Sequence, residues 1–275
     1  VESIKYNISQ EAFMKKTLIP LLAASVTLLT LWNSSAQQLT GEQIAQKVHD
    51  TNKSAAGIVL KGRMTLSDAA GGSAESRAIV LLAYTNNGLT SGLFRFTDSS
   101  YRGTTMLTFE RSGKENLQYL YLPSVGSPRQ IEGSDREKNF VDTDFSNEDL
   151  GGSRISDYTY NKLPDKKAGN LDCYVIERFP KSRSSKYSKH VVTIDKATLV
   201  PVEVQFYAKS GRIVKTMRAA GIKQISSSIH VPMYLEVVDI EKKHRTVINI
   251  SSAQEKNINR GYFNRNRLNM QWAEE

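Results

Sequence analysis

The sequence predicts a mainly β, α+β protein built on one large antiparallel sheet, in a single domain with few helices. Three observations carry this. Short alternating or apolar runs follow one another from Gly57 to Ser251, each bounded by turn residues such as Asn86-Asn87-Gly88 or Ala208-Lys209-Ser210-Gly211. No helical period separates these runs, so the rhythm of a parallel βαβ sheet is missing and hairpin follows hairpin. No Pro/Gly-rich linker divides the chain.

Taken in order, the chain opens on a leader. Two lysines after Met14, an apolar run from Leu18 to Leu31 and the small residues Ser34-Ser35-Ala36 read as a secretory signal cleaved near Ala36. Residues 1–36 are therefore expected to be upstream residues plus signal peptide, and residues 37–275 the exported domain. No cysteine follows the apolar run, so lipidation is not expected; the single Cys173 reads as a small buried hydrophobe on a strand.

The first element is a helix. Thr40 caps it, Gln43 completes a capping box, and Leu39 with Ile44 form a hydrophobic staple. His49 stands alone on it, in a surface or cap role.

Strands follow over Ile58–Leu66, Ala78–Tyr84, Leu89–Phe96, Thr104–Phe109 and Leu117–Leu122. In the last, Tyr119 and Tyr121 share one face while Leu120 and Leu122 share the other. Such strands are apolar on both sides, so each face needs a cover. Beyond residue 152 further strands are expected at Ser156–Tyr160, Asp172–Phe179, His190–Ile194, Pro201–Tyr207, Ile213–Ala219, Ile222–Ile225, Tyr234–Ile240 and Thr246–Ser251. The sheet is expected to hold about eleven strands, and a last short helix covers Tyr262 to Leu268.

Between the two groups of strands lies an acidic stretch, Gly133 to Gly152. Ser146 and Asp149 form a second capping box, Phe145 and Leu150 a second staple, and Gly151-Gly152 stop the turn. Asp142, Asp144, Glu148 and Asp149 lack the pattern of a calcium loop. Capping and a solvated, dipole-matched helix start account for them better than a metal site or an acid/base pair.

The net charge of +9 comes from scattered basic residues, densest in Lys181–Lys189. Without a recognition motif this does not indicate nucleic acid; an anionic membrane surface or acidic partner fits better. The four histidines, His49, His190, His230 and His244, show no zinc spacing. No phosphate loop, dinucleotide fingerprint or nucleophile elbow is present, so neither a metal, a cofactor nor an enzymatic activity is implied.

Several stretches resemble the outer membrane lipoprotein-sorting family, the LolA-like periplasmic carriers, and in particular its larger subgroup. They are Arg102–Leu107, Tyr119-Leu120-Tyr121-Leu122-Pro123, Gly133–Phe140, Thr143-Asp144-Phe145-Ser146 with Glu148-Asp149-Leu150, and Val192–Lys196 with Leu199-Val200-Pro201. The resemblance implies a half-barrel, LolA/LolB-like: a strongly curved sheet with helices over its concave face and an apolar cavity for acyl chains between them.

On strand alternation and loop position, the candidate cavity residues are Phe94, Phe96, Met106, Leu120, Leu122, Phe140, Phe145, Val204, Phe206 and Leu235. Thr143, Asp144, Phe145, Ser146 and Leu150 are expected to form a lid, mobile and modestly held. The implied protein is a monomeric periplasmic carrier of lipid or lipoprotein acyl chains. Its partners would be an inner-membrane extractor or exporter and an outer-membrane acceptor. The alternative is a non-catalytic docking subunit of an RND-type hydrophobe exporter.

Overall fold

A computed structural model of the chain describes residues 38–51, 53–72, 74–152 and 154–274. The expected signal peptide lies outside the described residues. Leu39–Glu275 form one compact unit.

The first element of the described residues is helix α1 (Gly41–Asp50), and its capping box is present as expected: Thr40 Oγ1 accepts from Gln43 N while the Gln43 side chain accepts from Thr40 N. Five strands and a short sixth then run as a meander: β1 (Ile58–Asp68), β2 (Ala74–Asn86), β3 (Leu89–Phe96), β4 (Thr105–Phe109), β5 (Leu117–Tyr121) and β6 (Pro128–Gln130). The β2–β3 turn holds Asn87 and Gly88, both at positive φ (49° and 78°), as a two-residue hairpin turn requires.

After an intervening segment containing α2 (Asn147–Leu150) the chain restarts at the opposite edge of the sheet. It returns as β7 (Tyr158–Ala168), β8 (Leu171–Pro180), β9 (Tyr187–Asp195), β10 (Pro201–Ala208), β11 (Ile213–Gln224), β12 (His230–Asp239) and β13 (His244–Glu255). The result is a 13-stranded antiparallel sheet in the order β6-β5-β4-β3-β2-β1-β13-β12-β11-β10-β9-β8-β7. Pairing of β1 with β13 from Ile58↔Glu255 to Asp68↔His244 joins the two meanders along their whole length.

The expected strand count is corrected in two places. Ile213–Ala219 and most of Ile222–Ile225 belong to one strand, β11, which continues through Gly221 at φ 63° and ends at Gln224. The short β6, too brief to show a period, extends the first edge. The expected helix over Tyr262–Leu268 is instead two 3-10 turns, Arg260–Tyr262 and Arg265–Arg267, each capped by an asparagine, Asn259 or Asn264.

Register sorts the side chains onto two faces, because partners directly across a ladder point the same way. The inner face carries the row Leu60–Leu81–Phe94–Met106–Leu120 across β1 to β5. It also carries Val237–Met217–Val204–Val192–Ile176 across β12 to β8. The outer face of the first meander carries Leu82–Leu93–Leu107–Tyr119.

Each face carries a cover over part of its area, as strands apolar on two sides demand. Ile258, Tyr262, Phe263, Leu268 and Trp272 of the C-terminal segment pack on the outer face of β1–β5. Arg95 fixes that cover by donating to the carbonyls of Met270 (2.6 Å) and Leu268 and lying 3.9 Å over the Trp272 ring. On the inner face, α1 buries Ile44 and Ala45 among Ile176, Ile194, Val204 and Phe206. The remainder is covered by the segment between β6 and β7.

Candidate functional site

That segment, residues 131–157, is built around a tight bend. Phe140 N donates to Phe145 O (2.8 Å), and Thr143 Oγ1 donates to Phe140 O (2.7 Å). The bend itself places Val141 and Asp142 at φ 44° and 61°, a conformation that a β-branched residue adopts only under constraint. Buried Arg77, paired with Glu75, supplies the constraint by donating to Val141 O (2.7 Å), and Tyr101 holds Asp142 through its hydroxyl (2.8 Å). Phe140 and Phe145 then drive into the inner-face cluster with Phe94 and Phe96; the Phe140 ring meets Phe94 edge-on at 5.3 Å.

The capping box of α2 is present, with Ser146 Oγ accepting from Asp149 N and Asp149 Oδ2 accepting from Ser146 N (2.7 Å). The solvated reading holds for exposed Asp142 but not for the other three carboxylates. Asp144 is 2% exposed, accepts from Thr246 Oγ1 (2.7 Å) and contacts His244 Nδ1 at 2.8 Å. Asp149 accepts from the buried Lys215 ammonium and from Tyr187 Oη (3.2 Å). Glu148 accepts from Ser185 Oγ (2.5 Å), and its burial pushes its carboxyl above the usual range. So the segment expected to be modestly held is tied by its carboxylates to Tyr187 on β9, Lys215 on β11 and His244 and Thr246 on β13, and by the Phe140 ring to Phe94 and Phe96 on β3. Among the described residues no group of three or more His, Cys, Asp and Glu could hold a metal.

The segment divides the space over the inner face into two chambers that share Leu150 and Gly152 as lining. The first, about 410 Å³, is apolar on its floor and walls: Ile58, Leu60, Leu81, Ala83, Gly92, Phe94 and Met106, with Leu150 closing one side. Gly92 matters here, since a Cβ at that position would meet no atom within 4 Å. The rim is polar. His49, from the last turn of α1, contacts Glu110 at 2.7 Å and Asp50 at 3.1 Å, and Lys53 donates to Gly88 O. His49 therefore ties the end of α1 to the residue following β4.

The second chamber, about 340 Å³, is mixed. Val192, Val204, Phe206, Met217, Leu235 and Phe145 line it together with Arg178, His190, Lys215, Tyr158 and Tyr187. The Tyr187 hydroxyl is pushed far up, by burial first and by Asp149 second, so it stays protonated. His190 is pushed well below its ordinary value by burial, then by Arg178 and Lys215.

Of the ten candidate cavity residues, Phe94 and Met106 line the first chamber. Phe145, Val204, Phe206 and Leu235 line the second. Phe96, Leu120 and Phe140 lie within the packed core cluster and Leu122 lies against it, lining neither chamber. Of the expected lid residues, Leu150 lines both chambers. Thr143, Asp144 and Ser146 serve as buried anchors. Sequence reasoning missed Leu60, Leu81 and Gly92. The signal was available, because pairing the two hairpins places Leu60 and Leu81 beside Phe94.

A family model described as "Uncharacterized protein" matches residues 88–270. No curated protein matches the chain. Among solved structures, an outer membrane lipoprotein-sorting protein domain from Vibrio parahaemolyticus is 26% identical with a TM-score of 0.77, covering 83% of this chain and 98% of that one. A DUF1329 family protein from Desulfovibrio piger is 24% identical with a TM-score of 0.75, covering 83% and 97%. A LolA superfamily protein from Nitrosomonas europaea is 19% identical with a TM-score of 0.63, covering 82% and 98%. The half-barrel implied by the resemblance is the fold the chain has.

Proposed function

We propose that this chain, which belongs to the family described as "Uncharacterized protein" and has the fold of lipoprotein-sorting and LolA superfamily proteins, is a periplasmic carrier of acyl chains. The observation that carries the reading is the first chamber. It is an apolar space of about 410 Å³ on the inner face, within the size range of small-molecule sites, under a polar rim. An acyl chain moved there from water gains roughly 0.8 kcal/mol for each methylene buried. The rim residues His49, Lys53 and Glu110 stay at the water boundary, and Leu150 forms the wall toward the second chamber. The cargo is a lipid or the acyl chains of a lipoprotein, passed between a membrane donor and a membrane acceptor. Among the described residues no helix is long and apolar enough to cross a membrane.

Gly92 supplies the test. Its backbone is not at positive φ and its Cβ direction is open, so Gly92→Phe projects a ring into the chamber without straining the strand. The variant is expected to fold like the parent by circular dichroism, yet to lose binding of the uncharged probe N-phenyl-1-naphthylamine. Unchanged probe binding by a folded Gly92→Phe protein would remove the first chamber from the account.

A further inference from the structure

The second chamber contains a buried polar group that no described residue satisfies. His190, on β9, is 2% exposed, and its Nε2 has no hydrogen-bond partner. The role of each ring nitrogen follows from its neighbour. Arg178 Nε lies 3.2 Å from His190 Nδ1, and a guanidinium can only donate. Nδ1 must therefore accept, which leaves the ring proton on Nε2. Buried donors without an acceptor are rare in folded proteins and mark places where a water or ligand belongs.

The surroundings define what that acceptor should be. Tyr187, Phe206 and Tyr158 surround the imidazole with ring centroids 4.9, 5.0 and 6.0 Å away, so one side of the site is aromatic. The carboxylates that reach the chamber are already engaged: Asp149 by Lys215, Tyr187 and its own helix cap, and Glu148 by Ser185 and the Lys186 amide. Burial first, then the Arg178 and Lys215 cations, disfavour a charged His190, so both cations contribute positive potential at the ring. An anionic oxygen suits a neutral N–H donor in a positive field.

We infer that the second chamber is a headgroup subsite, in which His190 Nε2–H donates to the carboxylate or phosphate oxygen of an amphiphile. This rests on the carrier reading, with Leu150 and Gly152 as the shared boundary between the chain-binding and head-binding chambers. His190 is the recognition residue, and Arg178 is a positioning residue that fixes its tautomer.

The test compares cis-parinaric acid with its methyl ester, which share one chain and differ in the head, on the full chain and on His190→Leu and His190→Gln. The acid is expected to bind the parent about tenfold more tightly than the ester, as loss of a hydrogen bond to a charged group implies. His190→Leu should erase that preference by weakening the acid more than the ester, and His190→Gln, whose amide N–H can still donate, should recover part of it. Displacement of the bound acid by oleate would assign a carboxylate head, and displacement by lysophosphatidate alone a phosphate head; either supports the inference. Equal binding of acid and ester by the parent, or a preference that survives in His190→Leu, would overturn it. N-phenyl-1-naphthylamine separates the two levels. Parent protein that binds this probe but shows no head preference refutes the subsite alone, and protein that binds neither probe nor acid refutes the carrier as well.

Discussion

Asp149 acts in three ways at once. It closes the cap of α2, accepts from Tyr187, and neutralises Lys215, with the two side chains of the ion pair 9% and 4% exposed. Removing one partner of such a pair leaves the other charged and buried, which costs about 3–5 kcal/mol. Lys215→Met is expected to lose that much in chemical denaturation, and adding Asp149→Asn, which keeps an oxygen for the cap, should recover most of it. A single Lys215→Met change of under 1 kcal/mol would show that the pair does not hold the segment.

His190 gives a pH signature. Its folded-state value is depressed, so the folded protein resists a proton that the unfolded chain accepts below the ordinary value of 6.5. Stability from this group is present above pH 6.5 and falls away as the pH drops below it. Denaturation of His190→Gln should show a shallower loss than the parent across that window. The local cap of α2 was legible in the sequence because its residues are three apart. The ion pair was not, since Asp149 and Lys215 lie 66 residues apart and only the folded sheet brings them together.

The decisive element is the segment between β6 and β7. It inserts Phe140 and Phe145 into the inner-face core and presents Leu150 to both chambers. Because Phe145 is 7% exposed, Phe145→Asp should cost at least about 3 kcal/mol and should also lower retention of bound lipid. Full lipid retention in a folded Phe145→Asp protein would show that the segment bounds no binding chamber. Turn chemistry and alternation made most strands readable, as at Asn87-Gly88. Two features escaped for physical reasons. β6 is three residues long and shows no period, and β11 runs on through Gly221 where two separate strands were expected. The C-terminal cover also escaped in form. Its asparagine-capped 3-10 turns lack a helical stripe, and its aromatics Tyr262, Phe263 and Trp272 pack on the sheet without one.

At the scale of the molecule, one open sheet must cover two apolar faces, and it does so differently on each. The outer face of the first meander is closed by the C-terminal segment, with Tyr262, Phe263 and Trp272 packed against Leu82, Leu93 and Leu107. The inner face is closed only in part, by α1 and the acidic segment, and the uncovered part of its floor becomes the first chamber. Alternation of Leu120 and Tyr119 already implied two covers; which cover would leave space depended on Gly92 and on the position of Leu150, and neither followed from a local pattern. The most direct measurement is mass spectrometry of a solvent extract of the full chain, purified without detergent from the periplasm of a bacterial host, beside Gly92→Phe. The account predicts near-stoichiometric acyl lipid in the parent and little in the variant. A parent protein that carries no lipid and also fails to bind N-phenyl-1-naphthylamine would contradict it.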